Sequence, residues 1–299
     1  MNNKVENISD KTPAFLYPFI LKKRYKEITG NNLHLFLPKL LSEKVQWLKL
    51  FDSTKEKAEF SDKVKARELF CRKIPDGKKY LKPVFGVWNS FDEINFDTLP
   101  ERFILKLNHG CGFNSFVMNK DVLLSSPKQF ESFKNRINLF YNTRYHLNSL
   151  ELHYKYIKPK IFAEEIIGED NVLLFNDWMI YCFNGRPEFC NYIIRYKDGF
   201  NYSYVYNEEF KKLDFSIAYT KAQNNLVKPY NYEKMFEFAK ILSKDFKFVR
   251  VDFIEHNKKL YFAEMTFTPH SGYFRYNGIN QTTQESLKID RMLGDMLKL

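Results

Sequence analysis

The sequence predicts an α+β protein in which a helical N-terminal region precedes two groups of strands. Three observations carry that expectation. Residues 1–70 hold three segments with helix-period apolar stripes and capping residues. Apolar strand-like runs recur between glycine-bearing turns from 79 to 195. Near the end, Phe248–Phe274 (FVRVDFIEHNKKLYFAEMTFTPHSGYF) reads as a β-hairpin, with VRVDFI and LYFAEMTF as strands and HNKK as the turn.

The helical region starts with Phe19–Thr29, ended by Gly30. Leu41–Phe51 (LSEKVQWLKLF) sets Leu41, Val45 and Leu48 on one stripe, with Ser42 as candidate cap and Glu43 in the first turn. Asp62–Cys71 (DKVKARELFC) has Asp62 in the capping position. Asp62, Lys63 and Arg67 are open to a functional reading and to a plainer one, a capped and solvated helix face.

Beyond residue 79, KPVFGVWNS is a short strand and FILKL a buried one, followed by NHGCGFN and a further strand. SPKQFESFKNRINLFYNTRYH is a helix begun by Ser126 and Pro127, with Phe130, Phe133, Ile137 and Phe140 as its core stripe. IKPKIFAEEII is an apolar strand ending in Glu164 and Glu165, and DWMIYCFNGRPEFCNYIIRY is two strands around a turn at Asn184–Pro187. Residues 197–228 read as polar and irregular. Tyr232–Lys244 is an amphipathic helix with Asn231 as candidate cap, and Glu285–Leu299 a closing helix.

At 299 residues with 44% hydrophobic and 28% charged side chains, the chain can bury a full core. Its net charge of +11 admits nucleic acid, an anionic membrane surface or an acidic substrate as partner. The lysines and arginines are dispersed and no nucleic-acid motif is present, so the expectation is no nucleic acid and an acidic small-molecule or saccharide substrate. The four cysteines form no CxxC pair, which argues against structural zinc and a disulfide framework and for a reducing compartment. With no signal-peptide pattern and no run of about 18 apolar residues, a cytoplasmic protein that does not span a membrane is expected. The oligomeric state is not legible.

Two stretches carry chemistry. In the hairpin, Asp252 and Glu264 lie inside apolar strands, where a charge is costly unless paired or holding a cation. Arg250 shares a face with Asp252, and Thr266 with Glu264. A turn near Asn257 and Lys258 sets the two carboxylates almost opposite each other. This suggests a Mg²⁺ and phosphate site, and is equally compatible with a buried Arg–Asp–Glu network in an ordinary sheet. In FILKLNHGCGFN, Gly110 and Gly112 let backbone approach phosphate oxygens and Lys106 supplies a point charge. A simple hairpin with an outward lysine is the alternative. His109 is placed to touch substrate or to stabilise the loop.

Taken together, SDKVKAR, FDTLPERFILKLNHGCGFN, HYKYIKPKIFAEE, DWMIYCFNGRP, VKPYN, FVRVDF and YFAEMTFTPHSGYF resemble the TupA-like ATP-grasp proteins, a branch named for teichuronopeptide synthesis. The resemblance runs from Ser61 to Phe274. It implies an ATP-grasp fold, two α+β subdomains clasping ATP, divided as a helical region (1–78), a flap subdomain (79–163) and a metal-bearing subdomain (164–299). It implies Lys106 on the α- and β-phosphates beneath the His109–Phe113 flap. Glu164, Glu165, Ile166 and Ile167 become the adenine-reading hinge, with Glu169 or Asp170 near the ribose. Asp252, Glu264 and Thr266 hold Mg²⁺, and Arg250 stabilises the transferred phosphoryl group. The chain departs from the usual pattern at Thr266, where asparagine is common, at Met179, where the branch commonly has lysine, and in SGYFRY.

The activity so implied is ATP-dependent amide formation through an acyl phosphate, joining an amine to a uronic acid carboxylate in capsular or other surface polysaccharide synthesis. Asp177 and His109 are the candidate bases. Two alternatives stand beside it: a glycosyltransferase of capsule or lipopolysaccharide synthesis, against which the lack of a DxD motif counts, and a phosphotransferase (kinase) using the same nucleotide site.

Overall fold

In the computed structural model, residues 8–168, 177–195 and 201–299 are described. Four helices come first: α1 (Tyr17–Thr29), α2 (Leu41–Phe51), α3 (Lys55–Ser61) and α4 (Lys65–Lys73). The strands β1 (Val84–Trp88), β2 (Phe103–Leu107) and β3 (Asn114–Val117) follow, then α5 (Lys120–Ser125), α6 (Pro127–Tyr141), α7 (Tyr145–Asn148) and β4 (Ile161–Glu164). The remainder is β5 (Trp178–Phe183), β6 (Arg186–Arg195), β7 (Asn201–Tyr206), β8 (Thr220–Lys221), α8 (Tyr232–Ser243), β9 (Phe248–His256), β10 (Lys259–Thr266) and α9 (Gln284–Met296).

The strands form two sheets. One has the order β1-β4-β2-β3, the other β10-β9-β5-β6-β7-β8. Every named pairing is antiparallel except that of β7 with β8. The first sheet packs its apolar face against α6, joining Phe103, Leu105, Ile161 and Ala163 to Phe133 and Ile137. The second sheet is covered on both faces. Trp178, Ile180, Val251 and Phe253 lie under α8. Met179, Tyr181, Phe183 and Phe248 lie on the other face, which α2 and α9 cover with Leu41, Val45, Ile289 and Leu293.

Helices α2, α3 and α4 are therefore part of the second sheet's core. Phe60, Ala66 and Phe70 join the cluster beneath α8, and Phe70 stacks on Phe262 of β10 at 4.5 Å between ring centroids. This is consistent with the helix stripes in the sequence: the apolar faces of α2, α3 and α4 bury against a sheet that comes later in the chain, while Leu21 and Tyr25 of α1 pack on Leu33 and Leu150.

Three local expectations are corrected. Ser42 does not cap α2; its backbone N–H donates to Asp290 Oδ1 at 3.0 Å and its hydroxyl donates to Asp290 Oδ2 at 2.5 Å. Glu43 caps instead, accepting from the N–H groups of Lys39 at 2.8 Å and Leu40 at 3.1 Å. Asn231 does not cap α8. Glu255, on β9, accepts from the N–H groups of Tyr230 and Asn231 at 2.9 and 2.7 Å. Within the stretch expected to be irregular, Asn201–Tyr206 is a full strand, because NYSYVY pairs with β6 and buries Tyr204, Val205 and Tyr206. Its tyrosines suit a pleated, half-buried surface once a partner strand is present.

Replacing Phe70 with alanine should cost about 3–5 kcal/mol of unfolding free energy, the usual loss for a buried phenylalanine. Urea denaturation measures it, and a loss under about 1 kcal/mol would show that α4 is not part of the core.

Candidate active site

The two sheets face each other across a cleft of about 630 Å³. One wall carries Lys82, Lys106, Phe162 and Glu164 of the first sheet and its approach; the other carries Met179, Arg250, Glu264 and Thr266 of the second. Gly110, Cys111 and Gly112 close one end, and Thr268, His270 and Ser271 line the segment after β10.

On the second sheet, β9 and β10 turn at Asn257 and Lys258, both in left-handed conformation (φ 49° and 62°), as a two-residue hairpin of the primed kind requires. From that turn the register runs Phe262 against Phe253 and then skips Ala263, so that Glu264 pairs with Asp252 and Thr266 with Arg250. Without this bulge Ala263 would oppose Asp252, and Glu264 would point to the opposite face. The bulge brings the two carboxylates, the guanidinium and the hydroxyl together.

Arg250 donates to both oxygens of Asp252, from Nε at 2.7 Å and Nη2 at 2.5 Å, and Nη2 also reaches Glu264 Oε1 and Thr266 Oγ1, each at 3.4 Å. Thr266 donates to Glu264 Oε1 at 3.2 Å. Asp252 is fully buried, and burial holds its carboxyl above the ordinary range in spite of Arg250. Burial, with Glu264 adding, raises Asp177 as well. Burial alone would raise Glu264, but Lys63 and Arg250 outweigh it and bring it down. The carboxylate excess leaves room for a further positive charge.

On the first sheet, Glu164 ends β4 and gathers three cations. Lys106 of β2 reaches it at 2.7 Å, Lys82 at 2.6 Å and Arg67 of α4 at 3.0 Å. Arg67 also donates to the carbonyl of Lys82. Burial alone would raise the Glu164 carboxyl, yet Lys106 and Lys82 bring it down to about 2. Burial, with Lys106 adding to it, lowers Lys82 to about 8. Three cations on one carboxylate leave net positive charge facing the cleft, an arrangement suited to a polyphosphate.

The loop after β2 is fixed at its base and open at its tip. The side chain of Asn108 donates to Asp62 at 2.9 Å and to Lys158 O at 3.1 Å, and accepts from Lys160 N–H at 2.7 Å. Gly110 has φ 75°, and a Cβ there would come within 2.8 Å of the Phe113 and Tyr145 rings. Gly112 has φ 79° and faces open space.

The structure thus brings together Lys106, Gly110, Gly112, Glu164, Arg250, Asp252, Glu264 and Thr266. His109 turns inward instead, buried with its ring 5.9 Å from that of Phe113, and burial lowers it to about 4, so it is neutral near pH 7. Glu165, Ile166 and Ile167 continue from β4 and are half-buried, and the Glu165 N–H donates to Pro83 O at 3.0 Å. Glu169 and Asp170 lie outside the described residues. Sequence reading missed Lys82, whose one signal was a lysine entering the first strand, and left Arg67 and Lys63 undecided, although all three end on site carboxylates.

The donor set can be tested against Mg²⁺. Asp252 and Glu264 are hard oxygen donors side by side, and the surplus of carboxylates around Asp252 suits a hard cation. Among the described residues, no group of three or more His, Cys, Asp or Glu side chains is placed to hold a metal. The fit is therefore to a Mg²⁺ that takes two protein carboxylates and completes its shell from ligand oxygens.

Two facing sheets with a glycine loop, a cation group on one wall and a carboxylate pair on the other define an ATP-grasp enzyme. The chain belongs to the TupA-like ATP-grasp family, whose model matches residues 43–298. Among solved structures it is similar to D-alanine–D-alanine ligase from Helicobacter pylori, with 15% identity, a TM-score of 0.43, and 86% of this chain and 69% of that one covered. It is similar to the Bacillus anthracis D-alanine–D-alanine ligase at 14% identity and a TM-score of 0.42, covering 85% and 67%. The ATP-grasp ligase PsnB with its minimal precursor gives 11% identity and a TM-score of 0.41, covering 85% and 66%. The chain spans about two thirds of the length of these ligases. No curated protein matches it by sequence.

Glu164→Gln removes the anion and leaves Lys82, Lys106 and Arg67 opposed, and should destabilise the fold by about 3–5 kcal/mol. Because the folded carboxyl lies near 2, below its ordinary 4.5, the stabilisation is complete above the ordinary value and is lost as pH falls through about 2. Unfolding measured from pH 6 to pH 2 should show this acid limb in the native protein and a flattened one in the variant.

Proposed function

We propose that the protein is an ATP-dependent carboxylate–amine ligase that joins an amino acid or small amine to the carboxylate of a uronic acid in surface polysaccharide synthesis. The observation that carries the reading is the pairing across one cleft of the Lys82–Lys106–Glu164 wall with the Arg250–Asp252–Glu264 wall. Family membership supports the nucleotide, and the positive cleft suits an acidic acceptor.

In this reading Lys106 and Lys82 bind the α- and β-phosphates, exchanging part of their hold on Glu164 for phosphate oxygens. Asp252 and Glu264 hold Mg²⁺, with Thr266 beside them; the ion supplies charge neutralisation at the phosphates. Arg250 turns its guanidinium to the moving phosphoryl group. A carboxylate oxygen of the acceptor bonds to the γ-phosphorus, and the bridging P–O bond breaks with its electron pair going to ADP. The amine nitrogen then attacks the acyl carbon, and phosphate leaves. Asp177, raised by burial into a range suited to taking a proton, serves as base for the amine. Closure of the Gly110–Gly112 loop keeps water from the acyl phosphate.

The test is thermal stability with MgATP, MgADP and a panel of UDP-sugars. A ligand at about 100 times its Kd should add about 2.7 kcal/mol of stability. A Mg²⁺-dependent shift with ATP or ADP that Lys106→Ala abolishes is expected; a shift with a UDP-sugar alone would make the protein a glycosyltransferase. Asp252→Asn and Glu264→Gln should each abolish ADP release with a uronate–amine pair while far-ultraviolet circular dichroism stays native. Normal turnover in both variants would refute the metal assignment.

A further inference from the structure

Lys63 belongs to neither sheet, yet its ammonium ends beside Glu264. It sits in the turn between α3 and α4, where its N–H donates to Asn108 O at 2.9 Å and the neighbouring Asp62 accepts from the Asn108 side chain at 2.9 Å. These bonds tie the start of the side chain to the base of the glycine loop. Its Nζ lies 2.6 Å from Gly110 O and 3.4 Å from Glu264 Oε2, with the side chain 16% exposed on the cleft. Lys106 and Lys82, by contrast, both end on Glu164. The cleft thus holds two cation groups: one around Glu164 and one, Lys63 with Arg250, around Glu264.

We propose that Lys63 is a catalytic residue whose ammonium contacts the γ-phosphoryl group of ATP. The assignment rests on the ligase reading above. An ammonium has three donors; Gly110 O takes one, Glu264 lies at ion-pair distance, and an oxyanion arriving beside Glu264 comes within reach of the same nitrogen. During transfer the acceptor carboxylate oxygen bonds to phosphorus while the bridging oxygen leaves on ADP with its electron pair, and the negative charge spreads over the three equatorial oxygens. Lys63 and Arg250 neutralise that charge from the two sides of Glu264. The transfer end is completed by the helical region, while the Glu164 cluster serves the α- and β-phosphates. The bond to Gly110 also holds the glycine loop over this end, so a residue that merely latched the loop would affect every nucleotide alike.

Isothermal titration separates the two roles without knowledge of the acceptor. MgADP and the non-hydrolysable MgAMPPNP are titrated into the native protein, Lys63→Met, Lys63→Arg, and Lys63→Gln, which keeps a donor for Gly110 and removes the charge. In the Met and Gln variants MgAMPPNP should bind on the order of tenfold or more weakly, as loss of a charge-assisted contact implies, with MgADP within about twofold and the Arg variant closer to native. Equal weakening of both nucleotides, or unchanged MgAMPPNP binding in the Gln variant, overturns the proposal. Failure of the native protein to bind either nucleotide overturns the ligase reading itself, a result distinct from a defect confined to the variants.

Discussion

The carboxylate of Glu164 is the constraint on which the cleft depends. It accepts cations from three separate elements: Lys106 on β2, Lys82 before β1 and Arg67 on α4. A buried carboxylate of this kind cannot stand alone, and neither can three converging cations. Each fixes the other, and together they tie the helical region to the first sheet. The surplus positive charge is held back from water and aimed into the cleft, so an incoming polyanion meets donors already oriented.

The opposite wall follows the complementary rule. Arg250 lies along Asp252 and touches Glu264, and Thr266 accepts from Arg250 and donates to Glu264. Here three carboxylates, Asp177, Asp252 and Glu264, meet two cations, Arg250 and Lys63, and burial holds Asp252 above its ordinary range. One wall calls for an anion and the other for a cation. In the proposed reading, a nucleotide phosphate chain with a divalent cation would satisfy both walls at once, which neither an isolated ion pair nor an apolar core would do.

Between the walls, the chain places its cations by packing. Lys63, Arg67 and Lys82 come from segments that precede the first strand or enter it, and they reach the site because Phe60, Ala66 and Phe70 pack against the second sheet. The helical region therefore has a double part, burying parts of both faces of the second sheet and carrying charged side chains to the cleft. Such an arrangement explains why Asp62 and Asn108 bond to each other: that contact joins the helical region to the base of the glycine loop.

The sequence by itself determined the elements with strong local signals. The helix stripes around Leu41–Phe51 and Pro127–Tyr141, the turns at Asn184–Gly185 and Asn257–Lys258, and the hairpin with Asp252 and Glu264 inside it were legible, because period, turn chemistry and a charge in an apolar run are properties of neighbouring residues. The motifs also sufficed to name the family. What only the tertiary structure decided depends on residues far apart in the chain. The strand at Asn201–Tyr206 exists because β6 offers it a ladder. Asp290 and Glu255 displace the local hydrogen-bonding expectations at Ser42 and Asn231 because they arrive from other elements. Lys106 was legible beside the glycine loop, whereas Lys63 and Arg67 also read as a solvated helix face and Lys82 went unmarked until packing folded them inward. The bulge at Ala263 is decisive: a regular register from the same turn would send Glu264 to the far face, and a single extra residue in the strand, which no periodicity announces, returns it to Asp252.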